Sequence, residues 1–199
     1  TMKYTTLAAL SSLAVSVATI GHAEPQAEVL HWWTAGGEAK AVGVLQEEFA
    51  ENGGSWTDMP VAGGGGDAAM TALRARVLSG NAPTAVQLKG PAIQEWYEEG
   101  VLADISSVAE AEGWADILPA SIAGHMKCED TWCAAPVNVH RVDWIWANAE
   151  VLEANGIEMP TTWDEFNAAA EKLQEAGVIP LAHGGQAWQD ATVFETVVL

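Results

Sequence analysis

The sequence predicts an α/β fold whose first part is built on a parallel sheet. Apolar segments of strand length alternate here with segments of helical periodicity, with strands at residues 28–33, 56–61 and 84–88 and helices at residues 38–51 and 67–78. A β-α-β-α-β order implies parallel strands joined by right-handed crossovers. After an extended stretch a second α/β alternation begins, so we expect two α/β regions.

The chain divides into four predicted segments. These are a signal peptide at residues 1–23, a first α/β lobe at 24–135, a hinge or crossing segment at 136–148, and the start of a second α/β lobe at 149–199. The last apolar helical stretch continues to the final residue without a stop signal. We therefore expect these 199 residues to be the front part of a longer protein, with an incomplete second lobe.

The N-terminus has the pattern of a secretory signal. Lys3 is followed by an uncharged apolar run, and Gly21 and Ala23 place small residues before a predicted cleavage at Glu24. The run is too short and too rich in Ser and Thr for a membrane span. Because no cysteine lies near the cleavage point, we expect export to the periplasm without a lipid anchor.

Charge and aromatic content narrow the class of partner. The formal net charge is -19, which repels nucleic acid phosphates and anionic lipid. Ten Trp stand against two Tyr and three Phe, and such an excess is common where indole rings stack on carbohydrate. The alternative is that most of the ten pack in the core.

Two adjacent tryptophans end the first predicted strand, followed by a glycine turn and an acidic residue. Side chains of consecutive strand residues point to opposite faces, so Trp32 and Trp33 cannot both be core. Ligands of open α/β sheets bind beyond the carboxyl ends of the strands. An indole plate beside the carboxylate of Glu38 suits a sugar. Alternatively, both rings are packing residues and Glu38 only complements the helix dipole.

Polar residues follow the third strand, and glycines follow the second. Gln87 and Lys89 alternate with an apolar residue, so both are predicted on one side of the strand end, either in the cleft or as a solvated strand end. The four glycines at 63–66 lack the Lys-Ser/Thr ending of a phosphate loop. We interpret them as a flexible loop at the cleft edge that does not contact the site.

Later candidates lie in the crossing segment and in a second glycine turn. Asn138 and His140 share one face of the predicted extended stretch, where a lone histidine is more often structural. His183 and Trp188 flank a glycine turn that follows a predicted strand at 178–182. All four are candidate sugar-binding residues.

The two cysteines predict a local disulfide. Cys128 and Cys133 flank a predicted hairpin tip, and in an oxidising compartment this spacing favours a bond. No second pair or nearby histidine completes a metal set, and the spacing is not that of a C-x-x-C redox motif. We expect neither a metal nor another cofactor.

Five stretches resemble the extracellular solute-binding proteins of bacterial ABC sugar importers, most closely the glucose/mannose-binding branch. They are HWWTAGGE at 31–38, VQLKGP at 86–91, PVNVHRVDWIWAN at 136–148, PTTWDEF at 160–166 and PLAHGGQAWQD at 180–190. The resemblance implies the type II periplasmic-binding-protein fold, with two α/β lobes joined by hinge strands and sugar held between them. The cysteine pair and the four glycines depart from the family pattern.

The resemblance also implies function. In the family, sugar is held from the first lobe at positions that match Trp32, Trp33, Glu38, Lys89 and Gln87 of this chain. The wall that the second lobe contributes is matched by His183 and Trp188. We expect a monomeric, non-enzymatic carrier that binds glucose or a similar hexose and passes it to an inner-membrane permease. The alternatives are a secreted glycoside hydrolase, which needs two carboxylates across the scissile bond, and a sugar-sensing chemotaxis component on the same scaffold.

Overall fold

The computed structural model describes residues 24–140 and 142–198. The predicted signal peptide at 1–23 lies outside the described residues, as does the last residue of the C-terminal apolar stretch. Within the described ranges, no helix combines the length and the apolar character needed to cross a membrane.

A three-stranded parallel sheet forms the centre of the first part, in the order β2-β1-β3. The strands are β1 Gln26–His31, β2 Ser55–Pro60 and β3 Ala85–Val86. On the central strand, Leu30 pairs with Met59 on one side and Val86 on the other. The predicted parallel sheet is confirmed, although each strand ends slightly earlier than predicted. In β1 the reason is that the next two N–H groups bond to side chains instead of a neighbouring strand.

Helices connect and cover these strands. Those of the first part are α1 Gly36–Glu51, α2 Asp67–Leu78, α3 Ala92–Glu98, α4 Ser106–Ala111, α5 Trp114–Ile117 and α6 Ala120–Met126. A short 3₁₀ turn, Gly64–Gly66, precedes α2. Gly66 occupies the N-cap position of α2, and Asp67 is the first helical residue. Its carboxylate still lies in the first turn, where the helix dipole favours negative charge.

The core of the first part draws apolar side chains from β1, α1, α2 and α3. Leu30 of β1 is fully buried, and Val42 of α1, Leu73 of α2 and Trp96 of α3 are almost so. Burial of a leucine-sized side chain contributes about 1.5–3 kcal/mol. The parallel pairing of β1 with β2 and β3 places the carboxyl ends of all three strands at one edge of this core.

A disulfide hairpin follows, made of β4 Lys127–Cys128 and β5 Thr131–Trp132 in antiparallel pairing. Cys128 is joined to Cys133, with the two Cα atoms 5.8 Å apart. Both cysteines are buried against Ile93 of α3, and Leu88 packs on the same cluster. The hairpin therefore supports the chain just beyond β3.

The remaining described residues contain three helices, α7 Ala149–Ala154, α8 Trp163–Glu175 and α9 Ala187–Val198. Thr162 and Glu165 have the spacing of a capping box, and the box is present at the start of α8: the Thr162 side chain accepts from the N–H of Glu165, and the Glu165 carboxylate accepts from the N–H of Thr162. The predicted strand at 178–182 is wrong. A strand needs a neighbour for its N–H and C=O groups, and no strand of the described part pairs with this stretch.

The crossing segment at 136–148 has no regular secondary structure in its described residues. Its two exposed indoles, Trp144 and Trp146, meet edge to face with ring centroids 4.8 Å apart. The segment is therefore a connection without ladder hydrogen bonds.

Candidate functional site

The two indoles at the end of β1 have different surroundings. Trp33 is 5% exposed and belongs to the core, whereas Trp32 is only partly buried. This is the divergence that strand alternation predicts for adjacent residues. Trp32 is therefore the indole available at the carboxyl edge of the sheet.

Side chains from neighbouring positions satisfy the backbone at this edge. The N–H of Trp32 donates to Oε1 of Gln87 at 3.1 Å, and the N–H of Trp33 donates to Nδ1 of His31 at 3.2 Å. Because Nδ1 accepts, the proton of the neutral ring lies on Nε2, which donates to Oδ1 of Asp58 at 2.8 Å. Gln87 thus holds the Trp32 backbone, and its amide NH₂ group is a further possible donor.

Asp58 anchors this arrangement from β2. Its partial burial opposes ionisation, but the hydrogen bonds from His31, Trp56 and Gln46 outweigh that effect, so the pKa of Asp58 is lowered. The carboxylate therefore remains an acceptor at neutral pH. It fixes the imidazole that in turn holds the Trp33 backbone.

Lys89 reaches the same edge from the residues after β3. Its Nζ lies 5.9 Å from the centroid of the Trp32 ring and donates to the carbonyl oxygen of Gly65 at 2.6 Å. An ammonium group has three N–H donors. Two donors thus remain for a ligand that contacts Trp32.

The glycine segment at 63–66 contacts the candidate site, contrary to the prediction from sequence. A Cβ added at Gly66 would lie 3.2 Å from the ring of Trp32, and one added at Gly65 would lie 3.1 Å from the ring of Trp188. Glycine packs its backbone directly against both indoles because it has no side chain. A run of glycines permits such close approach of the backbone, but it does not specify which side chains the backbone meets.

Glu38 belongs to a different group of residues. It is exposed in the first turn of α1 and lines a cavity of about 430 Å³ together with Trp33, Val44 and Asn138. The cavity therefore lies between the first part and the crossing segment. Lys89 therefore lies near the Trp32 ring, whereas Glu38 lines this cavity together with Trp33.

The candidate histidines occupy separate places. His140 meets the Trp33 ring edge to face at 6.2 Å, and its Nε2 lies 2.6 Å from Nδ2 of Asn138. His183 pairs with Asp190 at 2.7 Å near the start of α9.

Trp188, 42% exposed, is held by a hydrogen bond from its Nε1 to Oε1 of Gln186. The structure thus brings Asn138 and His140 to Trp33, and Trp188 to the glycine segment that contacts Trp32.

A larger cavity of about 540 Å³ lies away from these residues, between α3 and the disulfide hairpin. Tyr97, Glu98 and Glu129 line it, and it shares no lining residue with the smaller cavity. Its lining residues include no indole. The carboxyl edge is the better candidate, because the general rule for α/β sheets places ligands there.

The side chains at the edge can bind a polar ligand that has an apolar face. Trp32 offers a flat apolar surface, Lys89 offers charged donors and Gln87 offers an amide. In the described ranges, no group of three or more His, Cys, Asp or Glu side chains could hold a metal ion.

The chain belongs to the bacterial extracellular solute-binding protein family, whose model matches residues 33–199. Among its relatives is the "Probable sugar-binding periplasmic protein" of Rhizobium meliloti (strain 1021), 51% identical over 197 residues, which are 99% of this chain and 47% of that protein. The protein of the same description from Brucella melitensis biotype 1 is 49% identical over 193 residues, covering 96% of this chain and 46% of its own length. The chain thus spans about half the length of these relatives.

Solved structures agree with the fold. The ABC transporter associated binding protein from B. animalis subsp. lactis Bl-04, solved in complex with beta-1,6-galactobiose, superposes with a TM-score of 0.61. The sequences are 19% identical, and the match covers 78% of this chain and 36% of that one. At this identity the likeness shows the fold alone. The predicted fold class, that of the type II periplasmic solute-binding proteins, is confirmed.

Proposed function

We propose that the protein binds a monosaccharide, glucose or a similar hexose, and delivers it to an ABC transporter permease of the inner membrane. The observation that carries the proposal is the meeting of the Trp32 ring, the Lys89 ammonium and the Gln87 amide at the carboxyl edge of the sheet. The ring would cover the apolar C–H face of the sugar, and the donors would bond its hydroxyls. The sugar-binding relatives support the ligand class.

The second wall of the proposed site comes from the cavity beside Trp33. Glu38 would accept hydrogen bonds from sugar hydroxyls, and Asn138 and His140 would add polar contacts from the crossing segment. Trp188, whose ring already lies against Gly65, and His183 would add contacts from the second lobe. Closure excludes water and shifts the population toward a form that a permease recognises.

We propose a carrier without catalytic activity, working as a monomer in the periplasm after cleavage near Ala23. A glycoside hydrolase needs two carboxylates roughly 5–10 Å apart across the scissile bond. Among the described residues that line the cavity beside Trp33, Glu38 is the single carboxylate. No bond of the sugar is therefore broken in the proposed cycle.

Calorimetry with glucose, mannose and galactose on the full gene product tests the proposal. The same protein is incubated with an aryl glucoside while release of the phenol is followed. Binding without release supports the carrier, whereas release identifies a hydrolase. Loss of labelled sugar uptake on deletion of the gene separates an importer component from a purely sensory one, for which only chemotaxis would be lost.

A further inference from the structure

The glycine segment at 63–66 lies between the end of β2 and the start of α2, with a backbone that glycine adopts readily. Gly63, Gly65 and Gly66 have φ angles of +95°, +56° and +108°. Positive φ angles are strained for other residues. Their three positions differ, however, in what surrounds them.

Only two of these three glycines contact an indole. A Cβ at Gly66 would lie 3.2 Å from three atoms of the Trp32 ring, and a Cβ at Gly65 would lie 3.1–3.2 Å from three atoms of the Trp188 ring. A Cβ at Gly63 would meet nothing within 4 Å. The backbone of 65–66 thus lies against one indole from the end of β1 and one from α9.

The glycine segment is also held by a hydrogen bond from a side chain that follows β3. Nζ of Lys89 donates to the carbonyl oxygen of Gly65 at 2.6 Å, and Lys89 itself lies near the Trp32 ring. One short stretch of backbone therefore touches three side chains, Trp32, Lys89 and Trp188. These are separated widely in sequence.

We propose that Gly65 and Gly66 are positioning residues of the binding site: their bare backbone sets the place of the Trp32 and Trp188 rings, and a side chain at either position displaces the ring it contacts. The inference rests on the proposed function and adds to it the element that aligns the rings. The glycines act through the indoles and need not contact sugar. Positions 65 and 66 therefore require a residue without a side chain. Position 63 requires only a residue that adopts a positive φ angle readily.

Gly66→Ala and Gly63→Ala form a matched pair for the test. Both introduce the same methyl group at a positive φ angle, but only the first places it against an indole. In calorimetry on the full gene product, Gly66→Ala is expected to weaken hexose binding about tenfold or more, and Gly63→Ala by about twofold or less. Equal melting temperatures of the two variants would show that alanine at a positive φ angle destabilises the protein to the same extent at both positions.

A second readout follows the rings without any ligand. Protein labelled with 5-fluorotryptophan gives ¹⁹F resonances for its ten indoles, and those of Trp32 and Trp188 are assigned from Trp32→Phe and Trp188→Phe. Gly66→Ala is expected to shift the Trp32 resonance and Gly65→Ala the Trp188 resonance, while Gly63→Ala shifts neither. Gly65→Ala serves as the independent variant if Gly66→Ala does not fold.

The outcomes separate the two proposals. If the unmodified protein binds hexose but Gly66→Ala and Gly63→Ala weaken it equally, or if the Trp32 and Trp188 resonances do not move, the positioning role is overturned and the proposed function stands. If the unmodified protein binds no sugar, the proposed function fails, and the inference that rests on it fails as well.

Discussion

Arg76 of α2 donates to both carboxylate oxygens of Glu28 on β1, from Nη1 to Oε1 at 2.7 Å and from Nη2 to Oε2 at 2.5 Å. The hydrogen bonds from Arg76 lower the pKa of Glu28. The pair ties a helix to the central strand at a point remote from the carboxyl edge. Its effect is therefore expected on stability and not on ligand binding.

The lowered pKa of Glu28 predicts the sign of a pH effect. Its ordinary value is 4.5, and the folded value lies below it. Between these two pKa values the unfolded chain binds more protons than the folded protein. The contribution of the Glu28–Arg76 pair to the free energy of unfolding is therefore complete above pH 4.5 and is lost as the pH falls through the folded pKa. Glu28→Gln should lower stability at pH 7 and reduce the loss between pH 5 and 3.

Guanidinium unfolding at several pH values measures this effect. Glu47→Gln, an exposed carboxylate on α1, is the control and should leave the pH profile unchanged. An identical profile for Glu28→Gln and the unmodified protein would contradict the assignment.

The two indoles at the end of β1 should respond in opposite ways to truncation. Trp33→Ala removes a buried ring and is expected to cost about 3–5 kcal/mol of stability. Trp32→Ala removes a partly exposed ring and should cost less stability while abolishing most hexose binding. Chemical unfolding and calorimetry on both variants test the contrast; equal stability losses would contradict the assignment of Trp33 to the core.

Lys89→Met should weaken hexose binding by about tenfold to a hundredfold, the usual effect of losing hydrogen bonds from a charged group. The long apolar side chain of methionine retains the stem while removing the ammonium. Lys40→Met, at an exposed position of α1, is the matched control. Unchanged titration curves for Lys89→Met would remove this residue from the site.

Glu38→Ala should also weaken binding, because it removes the carboxylate that faces the cavity beside Trp33. Since Glu38 also lies in the first turn of α1, loss of its favourable interaction with the helix dipole is expected to cost about 0.3–1 kcal/mol of stability. Glu47→Ala is the control, because Glu47 lies on the same helix but does not line the cavity and is not in the first turn. Equal sugar affinities for the two variants would exclude Glu38.

Loss of the disulfide should affect stability more than the fold. The Cys128–Cys133 bond closes a short loop, for which the chain-entropy model gives about 2 kcal/mol. The Cys128→Ala/Cys133→Ala double variant should lose this amount in chemical unfolding. Reductant should lower the stability of the unmodified protein and leave the double variant unaffected; sensitivity of the double variant would show that another effect is measured.

Local signals made much of the fold predictable. The alternation of strand and helix periodicity gave the parallel sheet, and the spacing of Thr162 and Glu165 gave the start of α8. The strand predicted at 178–182 failed because apolar composition does not supply a pairing partner. Strand pairing depends on a neighbour that the described part does not provide there.

The candidate site was predictable only in part. Alternation at Trp32 and Trp33 implied that one ring is core, but not which, because that depends on packing from other elements. The contact of Gly65 with Trp188 joins residues distant in sequence, and no local pattern specifies it. The glycine run indicated an unusual backbone but not the side chains it meets.

Two consecutive indoles after β1 make the proposed binding site depend on the register of the central strand. A slip of one residue against β2 would turn Trp33 toward the carboxyl edge and Trp32 inward, since each step reverses the face of every side chain. Inserting or deleting a single residue within Gln26–His31 would thus exchange the packing ring and the ligand ring even if the helices stayed in place.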